Sequence, residues 1–291
     1  MKIAFVYEYG TESWSSPSSL MGEFKLRGWD VSRYHLTNGD TDQLTLRHYD
    51  IILTMDWKGI DIPTSVFSNL VGDTFLIREN ADTPQNFHKH IQHSSKYNLI
   101  LTPDYYSSEN YNELGFNSVW FNHFADTNIH NNYSGFDYYP PVRSTRGPGG
   151  SQFMDQLQGI MPEKFVNKNG MIGIEYGMFL NNGKIVLQNS RWQEITRRIF
   201  EGMACGRLVI TDRLPEHTHI NDLFIENEDI IYYDNYSDCI SKINYYLCEE
   251  GEAERNRIQK NGYDKVKANH TQVQRTDLII SKFNEWKKLS R

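Results

Sequence analysis

Residues 197–212 read Arg-Arg-Ile-Phe-Glu-Gly-Met-Ala-Cys-Gly-Arg-Leu-Val-Ile-Thr-Asp, and this stretch indicates the fold of the chain. Ile199 and Met203 recur at helical spacing, which predicts a helix with one face on a core. Gly206 stands where the end of such a helix favours a residue with positive φ. The apolar run 208–210 then predicts a buried strand of a parallel sheet. A helix that leads directly into such a strand is typical of α/β proteins.

Glu201 is the unusual residue of this stretch, because small residues around it let another group approach the backbone closely. The stretch resembles the Arg-x-Phe-Glu-x-x-Ala-x-Gly pattern of nucleotide-sugar glycosyltransferases with the GT-B fold. The resemblance is to the retaining "glycosyl transferases group 1" type, in the branch related to spore-coat and maturation glycosyltransferases. The matching residues are Arg198, Phe200, Glu201, Ala204 and Gly206. The resemblance implies that Glu201 holds the ribose hydroxyls of a donor nucleotide, and a solvated helix carboxylate is the alternative.

The chain departs from the wider family at one position of this motif. Family members often carry a second Glu eight residues before the first, and here that position is Gln193, with Glu194 beside it. In the family the earlier Glu faces the donor sugar. The substitution motivates an alternative function, a protein that binds a nucleotide sugar without transferring the sugar.

The charge is distributed unevenly along the 291 residues, whose net charge is −7. Residues 1–139 contain 17 Asp and Glu but only 9 Lys and Arg, whereas residues 140–291 are close to neutral. A neutral half can accept a phosphorylated donor, and an acidic half is a poor surface for a polyanion such as DNA. A random difference between two surfaces is the alternative explanation.

Three scattered cysteines give neither a disulfide framework nor a zinc spacing, so a reducing compartment is expected. The apolar opening is too short for a signal peptide, and no stretch approaches the length of a membrane-spanning helix. We therefore expect a soluble cytoplasmic protein without a membrane partner. The composition, rich in Asn, Tyr, Ile and Ser and poor in Ala, is typical of AT-rich genomes such as those of phages. It motivates another alternative, a phage enzyme in the host cytoplasm that glycosylates a hydroxymethylated DNA base.

The predicted elements alternate between strands and helices, and the Gly-x-Gly-x-x-Gly motif of nicotinamide enzymes is absent. We predict two Rossmann-like domains facing each other across a cleft, as the resemblance implies. Residues 1–130 form the first, onto which a C-terminal helix within 271–291 crosses back, and residues 137–270 form the second. The predicted strands are 2–7, 29–34, 50–56, 74–79, 98–102, 118–121, 169–174, 183–189, 208–210 and 229–233.

The first domain is expected to bind the acceptor. Glu8 follows the first strand, and Asp82 lies at a strand end that resembles an Asp-containing strand end of the family. Both are candidates for taking the acceptor proton. Asp82 also suits the N-cap of a helix beginning near Pro84, and the two roles are compatible.

The loop after the first strand is expected to line the cleft, because ligands of such sheets lie beyond the carboxyl ends of the strands. Glu12, Ser13 and Trp14 stand at its tip. An aromatic face beside carboxylates suits a sugar or another ring-bearing acceptor. The alternative is that Trp14 packs under its own loop.

The second domain is expected to bind the donor. An Arg in a Gly-rich turn suits a diphosphate, and the family places one in the first loop of this domain, so Arg146 is preferred over Arg143. Lys184 opens a segment that resembles the family's Lys-Ile-x-Leu-Asn and is a candidate phosphate partner, as is Arg198. Gly173 lies in a predicted strand near the expected nucleobase pocket.

No metal or other cofactor is expected. His88, His90 and His93 cluster on one predicted helix, but no Cys or carboxylate joins them at ligand spacing, and GT-B enzymes are generally metal-independent. The sequence thus predicts a hexosyl- or pentosyltransferase that moves a sugar from a nucleoside diphosphate sugar, with a UDP-sugar as the expected donor, to an acceptor hydroxyl. The predicted reaction is retaining, and the acceptor (glycan, small molecule, protein or modified DNA base) is left open.

Overall fold

The fold is taken from a computed structural model of the chain, which describes residues 1–8, 16–56, 58–83, 85–145, 152–168, 170–190 and 192–290. The chain forms two compact units. The first comprises residues 1–122 and 272–291, and the second residues 123–271. The division therefore falls before residue 130, and residues 123–136 belong with the second unit.

A parallel sheet of six strands forms the centre of the first unit, in the order β2-β1-β3-β4-β5-β6 as far as the chain is described. Its central strands are buried along nearly their whole length, which explains why they read as continuous apolar runs. The register pairs Ile3 with Ile51 and Ile51 with Phe75. The strands are β1 (Lys2–Tyr7), β2 (Asp30–His35), β3 (Ile51–Asp56), β4 (Phe75–Asn80), β5 (Leu99–Thr102) and β6 (Ser118–Trp120).

The last helix of the chain belongs to this unit and packs beside the first helix. Phe283 on the last helix contacts Trp29 and Phe75, with ring centroids 6.1 Å apart in both pairs. The C-terminal helix thereby completes the aromatic core of the unit. The helices are α1 (Ser16–Leu26), α2 (Thr64–Phe67), α3 (Phe87–His90), α4 (Tyr105–Glu113) and α11 (Gln272–Leu289), and 3₁₀ segments span Asp40–Leu46 and Ile91–Lys96.

The second unit contains a parallel sheet of five described strands, in the order β11-β10-β9-β7-β8. One face of this sheet builds an apolar core to which Val142, Ile185, Leu187 and Ile210 contribute. The strands are β7 (Val142–Ser144), β8 (Phe165–Asn167), β9 (Ile185–Gln188), β10 (Leu208–Asp212) and β11 (Ile231–Tyr233).

Helices cover both faces of the second sheet. One face is covered by helices that contribute Leu157 and Ile243 to the apolar core. On the other face, a Cβ on Gly202 of helix α7 (Arg197–Ala204) would lie 3.0 Å from Val186. Helix α7 therefore lies directly on the sheet. The helices are α5 (Gln152–Ile160), α6 (Gly173–Asn181), α7 (Arg197–Ala204), α8 (Ile220–Leu223), α9 (Tyr236–Leu247) and α10 (Glu249–Asn269), and a 3₁₀ turn spans Glu216–Thr218.

Helix α6 and the segment before β7 are in close contact. A Cβ on Gly177 would lie 2.1 Å from the carbonyl oxygen of Ile129, a distance that no side chain can occupy. The Asn181 side chain also donates to the carbonyl of Asn131 at 2.8 Å. The backbone at 129–131 is therefore held directly against α6.

Two predicted local structures are wrong. Residues 169–174 were expected to form a strand, but Gly173 begins α6, and the strand in this region is β8. Asp82 is not the N-cap of the following helix, because α3 begins at Phe87 with Asn86 at its N-cap. Asp82 instead has a φ of 53°, and its carbonyl accepts from the Asn86 amide at 3.1 Å.

Candidate functional site

The carboxyl edge of the second sheet brings several polar side chains together. Helix α7 follows β9, so its N-terminus lies near the carboxyl end of that strand, as in any strand–helix–strand unit. Thr145 directly follows β7, the neighbouring strand. The Arg198 Nε donates to the Thr145 hydroxyl at 3.0 Å. The first turn of α7 and the end of β7 therefore meet at this edge.

Glu201 lies one turn into α7 and is the centre of a buried cluster. Only 5% of the residue is exposed. The Tyr176 hydroxyl, on α6, donates to Glu201 Oε2 at 2.7 Å. Arg197 Nε lies 3.1 Å and His130 Nε2 lies 3.7 Å from the other carboxylate oxygen. The carboxylate is thus held from α6, from its own helix and from the segment before β7.

The charges in this cluster act on one another. Burial by itself raises the pKa of Glu201, but His130, Arg197, the Tyr176 hydroxyl and Arg198 act in the opposite direction and leave its pKa below the ordinary value. Burial lowers the pKa of His130, so that ring is neutral near pH 7. Arg197 therefore supplies the nearest positive charge that keeps Glu201 ionised.

Tyr176 is the hydrogen-bond donor of the cluster at all ordinary pH values. Burial and the Glu201 charge raise the pKa of its hydroxyl well above the usual range. The His130 ring packs edge-on against Tyr176, with centroids 5.4 Å apart. A neutral, aromatic wall thus borders the carboxylate on one side.

Three buried polar side chains near this edge have atoms without a hydrogen-bond partner in the described part of the chain. The unpartnered atoms are Nε2 and Oε1 of Gln188, the hydroxyl oxygen of Thr196 and both ring nitrogens of His130. These residues are 1%, 9% and 2% exposed. Buried polar groups in native proteins are normally hydrogen-bonded, so this edge offers unused hydrogen-bonding capacity.

Of the residues predicted for the donor, Glu201 and Arg198 lie in this cluster. Gly173 begins α6 three residues before Tyr176, with a φ of 57°. It lies near the site, but as the start of a helix and not in a strand.

The structure does not bring Arg143 and Lys184 to the cluster. Arg143 is 6% exposed, and its guanidinium donates to the carbonyls of Tyr139 and Asn182, the latter directly after the C-terminus of α6. Lys184 precedes β9, four residues and roughly 13 Å from Gln188 at the other end of that strand. Both residues therefore lie away from the carboxyl edge, and their predicted contact with the donor phosphates stays a prediction.

Two candidate catalytic residues are described in the first unit. Both carboxylate oxygens of Glu8 accept from Lys58 Nζ, at 2.9 and 2.7 Å. Asp82 is partly buried and has the left-handed backbone described above. The candidates Glu12, Ser13, Trp14 and Arg146 lie outside the described residues.

The sequence missed Tyr176, His130 and Arg197. The spacing of Arg197 and Glu201 at i and i+4 on one helix was a usable signal for an ion pair. Tyr176 and His130 lie 25 and 71 positions before Glu201, and nothing in their local sequence indicates that they reach it.

Two of the three clustered histidines, His90 at the end of α3 and His93 in the following 3₁₀ segment, have structural partners. His90 is completely buried, and its Nε2 lies 3.1 Å from the carbonyl oxygen of Ala81. His93 Nε2 lies 3.1 Å from the carbonyl oxygen of Gly59. Within the described ranges, no group of three or more His, Cys, Asp and Glu side chains is arranged to hold a metal ion.

A separate open cavity of about 570 Å³ lies beside the ends of β10 and β11. It is lined by Phe153, stacked on Tyr233 at 5.3 Å, and by Gln193, whose φ is 53°. Its carboxylate Asp212 already accepts from the backbone amide of Ser190 at 2.7 Å. Gln193 therefore borders an aromatic opening and is not part of the Glu201 cluster.

In the part of the chain that the structure describes, no helix is long and apolar enough to cross a membrane.

Part of the chain is similar in sequence to a known protein family. Residues 156–281 match a family model described as glycosyl transferase-like. No curated protein sequence matches the chain significantly. The matched segment contains α6, α7 and the whole of the motif around Glu201.

Solved structures share the fold over nearly the whole chain. Sucrose-phosphate synthase from Thermosynechococcus elongatus has a TM-score of 0.68 at 11% identity, covering 99% of this chain and 100% of that chain. Anabaena HepE in complex with UDP and glucose has a TM-score of 0.67 at 11% identity, covering 98% and 100%. An alpha-glucosyltransferase in complex with UDP and a mismatched 13-mer DNA has a TM-score of 0.66 at 10% identity, covering 98% and 100%. The chain therefore shares the GT-B fold of these structures, and its residues 156–281 are similar to the glycosyl transferase-like family.

Proposed function

We propose that the protein transfers a sugar from a nucleoside diphosphate sugar to an acceptor hydroxyl, with retention at the anomeric carbon and without a metal ion. The observation that carries this proposal is the Glu201 cluster at the carboxyl edge of the second sheet. There a buried carboxylate, a guanidinium and the start of a helix lie together. The proposed donor is a UDP-sugar, supported by two structural neighbours, HepE and the alpha-glucosyltransferase, whose structures are complexes with UDP.

The second unit supplies the donor site in this proposal. Glu201 accepts hydrogen bonds from the ribose hydroxyls, since an ionised carboxylate is an acceptor only. Arg198 and the N-terminus of α7 stabilise the diphosphate as it leaves with negative charge. Arg198 is held for this role by Thr145, so its guanidinium does not have to be ordered when the donor binds.

The first unit supplies the acceptor side. Glu8 and Asp82 are the proposed groups that take the acceptor proton, and the departing phosphate is an alternative base. Glu12, Ser13 and Trp14 are the proposed acceptor contacts. Because cationic groups stabilise the leaving diphosphate, the proposed reaction needs no divalent ion.

A second candidate function is binding of a nucleotide sugar without transfer. Gln193 supports it, because a neutral amide stands where many relatives carry a carboxylate. Transfer to an acceptor, or hydrolysis of the donor, by the purified protein would exclude this second function. The same assay in excess chelator tests the metal-independent reaction, for which we expect full activity. Activity lost in chelator and restored by a divalent ion would contradict it.

The donor assignment is tested by calorimetric titration with UDP, GDP and ADP, followed by the Glu201→Gln variant. We expect the variant to weaken binding of the best nucleotide by about 1.5–3 kcal/mol, since hydrogen bonds to a charged group are lost. Glu175→Gln is the matched control, because Glu175 is an exposed carboxylate on α6. Unchanged affinity together with a large fall in melting temperature would make Glu201 a structural residue.

A further inference from the structure

Gln188 and Thr196 are two buried polar side chains that the fold leaves unused. Gln188 ends β9 and is 1% exposed, yet neither Nε2 nor Oε1 has a hydrogen-bond partner among the described residues. Thr196 is the N-cap of α7, but its hydroxyl does not bond to that helix and is likewise unpartnered. A Thr at this position usually caps its helix. Both groups thus carry a desolvation penalty that no described contact offsets.

The geometry of β9 and α7 places Gln188 beside Arg198. Val186 faces α7, because a Cβ on Gly202 would touch it at 3.0 Å. Gln188 lies on the same face of β9, two residues or about 7 Å nearer the carboxyl edge. Arg198 lies four residues or about 6 Å before Gly202, in the same direction, since the helix runs antiparallel to the strand.

The register of the neighbouring strand β7 also places Gln188 near Arg198. Arg143 pairs with Val186, so the parallel register sets Thr145 opposite Gln188. Thr145 is the residue whose hydroxyl accepts from Arg198 at 3.0 Å. The register therefore places Gln188 beside Thr145, on the face of β9 that α7 covers.

The hydrogen-bonding groups of the Gln188 carboxamide determine which ligand groups can satisfy it. Gln188 offers two N–H donors and a carbonyl acceptor, and both ends lack a partner. A phosphate offers only acceptors and would leave Oε1 unsatisfied. A pair of vicinal hydroxyls can accept from Nε2 and donate to Oε1 at the same time. The Thr196 hydroxyl can hydrogen-bond to the same vicinal hydroxyls, because a hydroxyl both donates and accepts.

We propose that Gln188, assisted by Thr196, binds a vicinal diol of the sugar nucleotide and determines its affinity. This inference rests on the proposed function, since it places the diol in the donor site. The diol belongs either to the ribose or to the transferred sugar, and the two sources respond differently in the experiment below.

Ser144 provides a matched control on the opposite face of the same sheet. Its hydroxyl is also buried, at 1% exposure, and also lacks a hydrogen-bond partner within the described ranges. Its side chain lies on the face of Val142, which belongs to the apolar core between the sheet and helices α5 and α9. A general effect of removing an unpartnered polar atom is therefore shared by Ser144, whereas a ligand effect is not.

The test replaces Gln188 with Met, which has a similar length and no hydrogen-bonding amide. We expect Gln188→Met to raise the melting temperature of the ligand-free protein and to weaken UDP-glucose binding about tenfold or more in calorimetry. Thr196→Val is a second variant of matched shape. We expect it also to raise the melting temperature and to weaken UDP-glucose binding, with a smaller loss of affinity than Gln188→Met. Ser144→Ala is expected to raise the melting temperature without changing the affinity.

The ligands separate the two sources of the diol. An equal loss of affinity for UDP and for UDP-glucose assigns the diol to the ribose, and a loss confined to UDP-glucose assigns it to the transferred sugar. Gln188→Met and Thr196→Val proteins that bind both ligands within about twofold of the wild type would overturn the inference while the proposed function stands. A wild-type protein that binds no nucleoside diphosphate would overturn the proposed function, and the inference with it.

Discussion

The two units carry polar clusters at the ends of parallel strands, and these clusters are organised in opposite ways. In the first unit, the fully buried Arg78 donates to Asn80, Asp61 and the carbonyl of Ile60 at 2.8–2.9 Å. Asp56 lies 3.5 Å away and also accepts from the amide of Ile60. In the second unit, the buried side-chain polar atoms of Gln188 and Thr196 have no hydrogen-bond partner among the described residues.

The difference distinguishes a structural cluster from a binding cluster. A buried charge whose hydrogen bonds are all made within the protein fixes the loops around it and has little left to offer a ligand. Buried polar atoms that the protein does not satisfy lower its stability, and such a cost is typical of functional sites. We therefore expect substitutions in the first cluster to act on folding and substitutions in the second to act on ligand affinity.

The largest expected effect comes from breaking the first cluster. Arg78→Met removes the cation that neutralises the buried carboxylates Asp56 and Asp61. We expect the free energy of unfolding to fall by about 3–5 kcal/mol, because uncompensated charges remain in the interior. Denaturant titration measures this change.

Arg27→Met is the control for Arg78→Met. Arg27 also binds two carboxylates, those of Glu23 and Asp277, but its side chain is 24% exposed. Its removal should cost no more than about 1 kcal/mol. Equal effects of the two variants would show that the burial of Arg78 does not add to its contribution to stability.

An intermediate effect is expected from acid, through His90 of the first cluster. Burial and the neighbouring Arg78 lower the pKa of this ring to about 4. The unfolded chain, with an ordinary pKa of about 6.5, binds the proton first as the pH falls. Stability is therefore lost between about pH 6.5 and about pH 4, by up to roughly 3 kcal/mol.

The measurement is the free energy of unfolding at about pH 7 and about pH 5, in wild-type and His90→Gln proteins. The pH dependence of the free energy of unfolding should be shallower in the variant, since it lacks one of the buried histidines. His130 in the second unit still contributes to the pH dependence in both proteins. A His90→Gln protein that is as acid-sensitive as the wild type would show that His90 does not titrate in this window.

The smallest expected effect on stability is that of Tyr176→Phe in the second cluster. It removes the hydroxyl that donates to Glu201 Oε2 and leaves Arg197 in place. We expect a loss of about 1.5 kcal/mol in the free energy of unfolding, the low end for a hydrogen bond to a charged group. Tyr245→Phe is matched in chemistry, because Tyr245 donates to Glu254 at 2.9 Å from a position that is 44% exposed.

The control should leave stability unchanged, because water replaces the exposed hydrogen bond. We also expect Tyr176→Phe to change affinity for the nucleotide, since Tyr176 contacts Glu201, while Tyr245→Phe does not. If the two variants behave alike in both measurements, burial does not strengthen the Tyr176–Glu201 bond.

The sequence predicted the strands of the first unit well, since the central ones are apolar runs of strand length followed by a break. It failed at residues 169–174, where a short apolar run between glycines is equally compatible with a strand and with the first turn of a helix. Strand β8 has three residues, too few to show any period. The order of strands in each sheet depends on contacts between distant segments and was not predicted.

The site was predicted only in part. Glu201 and Arg198 belong to one continuous motif, which made them recognisable. Tyr176 and His130 reach Glu201 only because α6 and the segment before β7 pack around α7. Lys184 lies one strand length from the carboxyl edge, since its motif indicated a strand but not at which end of the strand the residue stands.

The contact at Gly177 determines how that part of the site can vary in evolution. The missing side chain lets the carbonyl of Ile129 rest on α6, and His130 follows directly in the chain. The separation between His130 and Tyr176 is therefore set by two backbones in contact, and not by interchangeable side chains. Side chains in the core can drift in size over generations without moving these two rings, whereas any residue larger than glycine at 177 would shift both relative to Glu201 in a single step.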